Sequence, residues 1–186
     1  PKWLLNKLIR MYNDRAYSIC SINTTQPPIW ARINTFKSDF SEVSTILSKN
    51  KIPFSKDKIL SNYIKIDKFD KKRIIFNLIE NGKVYIQNPS SGLVVKLLNP
   101  SEKDILLDAC SAPGGKSSFI IEKTKNKIDI TCMDIKESRI KSQKNNFNTL
   151  GIKNVNFVCA DAALIKNNKK YNKILLDLPC TSSGTI

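Results

Sequence analysis

The chain has 186 residues, 41% of them apolar and 25% charged, a balance that belongs to a folded globular protein and excludes intrinsic disorder. Its 31 Lys and Arg against 16 Asp and Glu give a formal charge of +15; this suits an anionic partner such as nucleic acid, but Lys outnumbers Arg 26 to 5, as an AT-rich coding sequence would also produce. There is no His, which excludes His-based triads and leaves acid–base or nucleophilic work to Cys, Asp, Glu, Lys or Tyr. No apolar run is long enough to span a membrane, and the amphipathic start P-K-W-L-L-N-K-L-I-R is not a secretory signal. Five cysteines without paired C-x-x-C spacing predict neither a disulfide framework nor a metal site, in a reducing cytoplasmic setting. The first residue is Pro rather than Met, and a fragment is expected.

In chain order, Trp3, Leu4, Leu5, Leu8, Ile9 and Tyr12 make a helical stripe. W-A-R-I-N, from Trp30 to Asn34, reads as a short strand. Asp39 and Glu42 form a capping box ahead of Val43, Ile46 and Leu47, which recur at helical spacing. Y-I-K-I-D and K-V-Y-I-Q read as further strands. Residues 1–98 are therefore expected to form a small α+β subdomain. The style changes near Asn99-Pro100. I-L-L-D-A is a buried strand, Gly114-Gly115 opens a helix through Ile120 and Ile121, and I-D-I-T-C-M-D is a second strand. A helix from Ser138 to Leu150 stops at Gly151, followed by the strands V-N-F-V-C-A-D and K-I-L-L-D-L-P-C. Alternating strands and helices with right-handed crossovers predict one half of a doubly wound parallel sheet over residues 99–186. Such a domain normally continues through more strands, so it is expected to be incomplete at its C-terminal end, Ile186.

The Gly-Gly-Lys-Ser at the end of D-A-C-S-A-P-G-G-K-S-S mimics a phosphate-binding loop, but that loop needs Gly where Cys110 stands. Pro113 also removes a backbone donor. A second regularity points elsewhere. Asp108, Asp134, Asp161 and Asp177 each follow an apolar strand, at the edge where open α/β sheets bind ligands. One such Asp is ordinarily a turn former; four in succession suggest a site. Asp134 follows Gly114 by 20 residues, the spacing at which an acidic side chain meets ribose hydroxyls, yet the G-x-G-x-x-G dinucleotide fingerprint is absent. S-adenosylmethionine fits these constraints: the Gly-rich turn would meet its amino-acid end, Asp134 its ribose and Asp161 its adenine. In D-L-P-C-T-S-S-G, Cys180 sits beside this site, placed for the thiolate chemistry that activates cytosine C5.

D-A-C-S-A-P-G-G-K, M-D-I-K-E-S-R-I, C-A-D-A and L-L-D-L-P-C-T-S-S-G resemble, in order and spacing, four motifs of the RNA (cytosine-5)-methyltransferases of the Fmu/Sun type. R-I-N and G-K-V-Y-I-Q-N-P-S-S-G extend the resemblance upstream, toward the bacterial small-subunit ribosomal RNA enzymes. The resemblance implies a Rossmann-like S-adenosylmethionine-dependent methyltransferase fold and a cytoplasmic, monomeric protein acting on ribosomal RNA. It implies that Cys110, Ser111, Ala112, Pro113, Gly114, Gly115, Lys116, Asp134, Asp161 and Asp177 line the cofactor site, with Asp177 also beside the chemistry. Cys180 is implied to assist release of the methylated RNA. The attacking Cys is implied to belong to a later Thr-Cys motif beyond Ile186, which this sequence lacks, so these 186 residues alone are expected to be inactive. Asn88-Pro89 stands where Asp-Ala is usual, and Ser111 where Ala is common. Two alternatives stand beside this reading: a DNA cytosine-5 methyltransferase, in which Cys180 itself attacks, and a non-catalytic RNA-binding remnant.

Overall fold

The computed structural model describes residues 1–23, 28–67, 71–164 and 169–179. The chain separates into two compact units. Among the described residues, the first holds 1–23 and Pro179, and the second holds 28–67, 71–164 and 169–178. In the first, α1 (Lys2–Tyr12) forms where the apolar stripe predicts it, but it buries none of its residues, and Trp3, Met11 and Tyr12 are exposed. The Asn13 amide closes α1 on the Ile9 carbonyl. A second helix, α2 (Arg15–Asn23), follows; its apolar residues do not cluster on one face, so periodicity gave no sign of it.

The second unit begins with β1 (Ile29–Ile33), α3 (Phe40–Lys49), β2 (Phe54–Lys56), β3 (Tyr63–Ile66), α4 (Lys72–Glu80) and β4 (Val84–Ile86). Its antiparallel sheet has the order β2-β3-β1-β4, so this β-α-β-β-α-β run is a ferredoxin-like unit. Ala31, Ile33, Val43, Leu47, Ile64, Ile75 and Val84 are among its buried core. Asp39 caps α3 by accepting from the Glu42 amide. The reciprocal half of the expected capping box is replaced, because the Glu42 side chain accepts from Ser38 and pairs with Lys83 instead.

Helix α5 (Pro89–Leu98) links this unit to the next sheet; Asn88 caps it, Pro89 opens it, and Asn99 ends it in the left-handed conformation. Then come β5 (Ile105–Asp108), α6 (Gly115–Lys123), β6 (Asp129–Asp134), α7 (Glu137–Leu150), β7 (Asn156–Cys159) and β8 (Lys173–Leu175). The four strands are parallel, in the order β7-β6-β5-β8. The chain steps from β5 outward to β7 and then returns to the other side of β5. The reversal creates a switch point between β5 and β8, where doubly wound sheets open a ligand crevice at their C-terminal edge. Leu106, Ile120, Ile121, Ile130, Phe147 and Leu175 fill the core beneath it, joined by Tyr63 from β3, whose ring meets Phe119 edge-on at 5.9 Å.

Candidate functional site

The site grows from the end of β5. Asp108 closes that strand, and Ala109 to Pro113 carry the chain over the sheet edge to Gly114, through a cis Ala112–Pro113 bond. The Ser111 amide donates to Met133 O at 2.8 Å, which ties the turn to β6. Gly114 has φ 102, a left-handed geometry that glycine adopts without strain. It also abuts α7: a Cβ there would stand 2.5 Å from Phe147 Cε1 and 2.9 Å from Gln143 Cγ. Gly115 is needed for closeness rather than φ, since its Cβ would lie 3.0 Å from Gln87 Nε2 and 3.1 Å from Tyr85 Cε1.

Beside this turn lies a cleft of about 260 Å³. One wall is Asp108, Cys110, Ser111, Ala112, Pro113, Gly115 and Lys116, together with Asp177 from beyond β8. The other wall, which the residue-by-residue reading did not place at the site, is Tyr85, Gln87, Asn88 and Ser91, from β4 and the start of α5. Its signal was present in the stretch G-K-V-Y-I-Q-N-P-S-S-G, but nothing in that pattern alone says which side chains reach β5. Tyr63 holds the wall from behind by donating to Gln87 Oε1 at 2.7 Å.

Asp108 is buried, and its Oδ2 accepts from Ser117 at 2.5 Å. Burial pushes its pKa up to about 6, aided by nearby Asp177 and opposed by Ser117, Lys116 and the Cys110 amide. Burial likewise raises the Cys110 thiol, with the Asp134 and Asp108 carboxylates adding to the effect against Arg139. Cys110 is therefore held as a thiol, which is the wrong form for a nucleophile. At the mouth, Lys116 pairs with the largely exposed Asp177.

Asp134 and Asp161 stand along the same sheet edge but are not part of this cleft's lining. Asp134 ends β6, is almost wholly buried, accepts from the Lys136 amide at 3.2 Å, and lies 3.2 Å from Arg139 Nη1. Arg139 also donates to the Ala112 carbonyl, so a single guanidinium joins this Asp to the Gly-rich turn. Asp161, two residues beyond β7, accepts from the Ala163 amide at 2.9 Å, the local turn geometry of an Asx residue. Cys180 lies outside the described residues, as does Ile186, beyond which the attacking Cys is expected. The four described cysteines, Cys20, Cys110, Cys132 and Cys159, are free, and no group of three or more His, Cys, Asp or Glu among the described residues could hold a metal ion. No helix among them is long and apolar enough to cross a membrane.

A parallel sheet with a switch point at β5, a glycine turn into α6 and an acidic residue at or two residues beyond each strand end define a Rossmann-like methyltransferase fold. The comparisons with known proteins agree. Residues 95–186 match the family model for 16S rRNA methyltransferase RsmB/F, and residues 1–71 match that of the RsmF/B-like ferredoxin-like domain. The chain belongs to the RsmB/F family of methyltransferases. It is 32% identical over its whole length to a probable ribosomal RNA small subunit methyltransferase B of Bacillus subtilis, covering 42% of that protein. It is 30% identical to ribosomal RNA small subunit methyltransferase B of Photorhabdus laumondii, again over its whole length and 43% of the relative's. The crystal structure of a methyltransferase homologue from Pyrococcus horikoshii superposes on the whole chain and 61% of its own, with a TM-score of 0.84 at 27% identity. The chain thus spans less than half the length of these curated relatives.

Proposed function

We propose that this chain is the cofactor-binding part of a methyltransferase that moves the methyl group of S-adenosylmethionine to C5 of a cytosine in small-subunit ribosomal RNA. The observation that carries the reading is the cleft at the β5–β8 switch point, walled by the turn from Cys110 to Lys116 and roofed by the Lys116–Asp177 pair. Backbone amides at a helix start suit the carboxylate of the cofactor's amino-acid end, and Asp108 supplies a carboxylate for its amine. Asp134 would take the ribose hydroxyls, which requires Arg139 to yield its place, and Asp161 the adenine. When bound, S-adenosylmethionine supplies an electrophilic methyl group; the protein's task is to hold that sulfonium against the base.

The substrate assignment rests on the two curated relatives, both named as acting on small-subunit ribosomal RNA, and on the +15 charge, which suits a phosphate backbone. On this reading residues 1–98 face RNA and lend Tyr85, Gln87, Asn88 and Ser91 to the cleft, and residues 99–186 supply the rest of the cofactor site. Cys180, following Asp177 at the cleft, would help the methylated base leave, and a Cys in a Thr-Cys motif beyond Ile186 would add to cytosine C6. The test is methyl transfer by the complete protein from labelled S-adenosylmethionine to small-subunit ribosomal RNA, with digestion to nucleosides. Label in 5-methylcytidine is expected; label in any other nucleoside, or none, overturns the assignment.

A further inference from the structure

The R-I-N of β1 has no part in the site described so far, yet two of its three residues are polar and completely buried. Arg32 lies in β1 and Asn34 one residue past its end, where the Asn34 amide still donates to Lys83 O at 2.9 Å, so the two share a face. That face meets the helices of the parallel sheet. Arg32 Nη2 donates to Ser118 Oγ at 2.7 Å and lies 2.9 Å from Glu122 Oε1, while Nη1 reaches Gly115 O at 3.4 Å. The Ser118 hydroxyl is itself 3.0 Å from Gly115 O. The guanidinium also stacks over Phe119, 4.9 Å from the ring centre. Every one of these partners belongs to α6, from its first residue through its second turn. Asn34 Nδ2 bridges the carbonyls of Gly82 (2.7 Å) and Leu150 (2.9 Å), the last residue of α7. The pair of helices so gripped is the pair that holds the glycine turn, since Gly114 packs on Phe147 and Gln143 of α7.

A buried ion pair is a poor device for stability alone, because desolvating both charges cancels most of their attraction. Its strength lies in fixing a geometry, and a forked guanidinium fixes several acceptors at once. We propose that Arg32 is a positioning residue for the cofactor turn: from the ferredoxin-like sheet it locks the first two turns of α6, and Asn34 locks the end of α7, so that the amides of Gly114 to Lys116 are held ready before ligand arrives. The inference rests on the cofactor reading above for its functional consequence, but the lock itself is a property of the protein without ligand.

The experiment uses the complete protein carrying Arg32→Lys, which retains a charge opposite Glu122 but loses the fork. Ser118→Ala, which removes one acceptor and leaves the ion pair, serves as a second variant should the first not fold. Leu47→Ala, in the ferredoxin-like core away from α6, is the control for lost stability alone. Amide hydrogen exchange without ligand and calorimetry with S-adenosylmethionine are measured well below each variant's melting temperature. Arg32→Lys should speed exchange of the hydrogen-bonded α6 amides from Ser118 to Glu122 at least tenfold and weaken S-adenosylmethionine about tenfold, with Ser118→Ala smaller in the same direction. Leu47→Ala should do neither. Unchanged exchange in both α6 variants overturns the lock, whatever the affinities. Faster exchange with unchanged affinity overturns the positioning role and leaves a structural tie. If the wild-type protein binds no S-adenosylmethionine, the cofactor reading falls, and the exchange data still decide the lock.

Discussion

Replacing Asp108 by Asn separates the energetics of the buried carboxyl from the shape of the turn. The side chain is buried, and its pKa rises from 3.8 to about 6, chiefly through burial. A carboxyl whose folded value is raised binds its proton more tightly in the folded state than in the unfolded chain. Between roughly pH 4 and pH 6 the folded protein therefore carries a proton that the unfolded chain has lost, and stability falls as pH rises through that window before levelling off. At 1.36 kcal/mol per decade the displacement corresponds to ~3 kcal/mol. Asn keeps an oxygen to accept from Ser117 but cannot ionise, so it escapes this loss. Denaturant unfolding of the complete protein at pH 4 and pH 8 should show Asp108→Asn gaining on the wild type by ~3 kcal/mol across the interval. Glu122, pushed by burial to about 7 against the pull of Arg32, gives the wild type a further loss of the same sign. It is present in both proteins and cancels in the difference. A stability difference that is the same at the two pH values, within ~0.5 kcal/mol, refutes the argument that burial governs this carboxyl.

Gly114→Ala forces a side chain into a left-handed conformation costing about 1–2 kcal/mol, and its methyl into Phe147 for about 1–3 kcal/mol more, so a loss of roughly 2–5 kcal/mol in denaturant unfolding is expected; a loss under ~1 kcal/mol contradicts the geometry. Asp134→Ala removes a charged acceptor from the ribose position, and charge-assisted hydrogen bonds contribute on the order of 1.5–3 kcal/mol each, so calorimetry should show S-adenosylmethionine binding at least about tenfold weaker; unchanged affinity takes Asp134 out of the site. RNA affinity should fall by a large factor between roughly 50 and 200 mM salt if the positive charge tracks phosphates, and a flat filter-binding curve would count against that. A complete protein with Cys180→Ala should trap a covalent protein–RNA adduct on a denaturing gel; loss of the adduct in a folded, cofactor-binding variant would instead make Cys180 the nucleophile.

The parts of this molecule that were legible in its sequence are those whose causes are local. Each strand of the parallel sheet is closed or followed within two residues by an Asp, because the apolar run stops where the chain leaves the core; Asp108 and Asp134 end their strands, and Asp161 and Asp177 lie two residues past theirs. The glycine turn was legible for the same reason: two adjacent glycines between a buried strand and a helix have few other uses. Local pattern also has a limit. The apolar stripe of α1 forms its helix but buries nothing within its unit, because periodicity reports which residues share a face and not whether anything covers it. The second wall of the cleft escaped because it depends on β4 and the start of α5 facing the turn after β5, a meeting that no local pattern records. Arg32 escaped more completely. A basic residue in a five-residue strand with three buried positions reads as the solvent side of the alternation, and its partner Ser118 is 86 residues away. A fully buried guanidinium is costly unless its hydrogen bonds and counter-charge are already in place. Arg32 at that position thus carries information about α6 that neither segment shows by itself: the first sheet was shaped around the helix that holds the turn, and the turn owes its form to residues of both sheets.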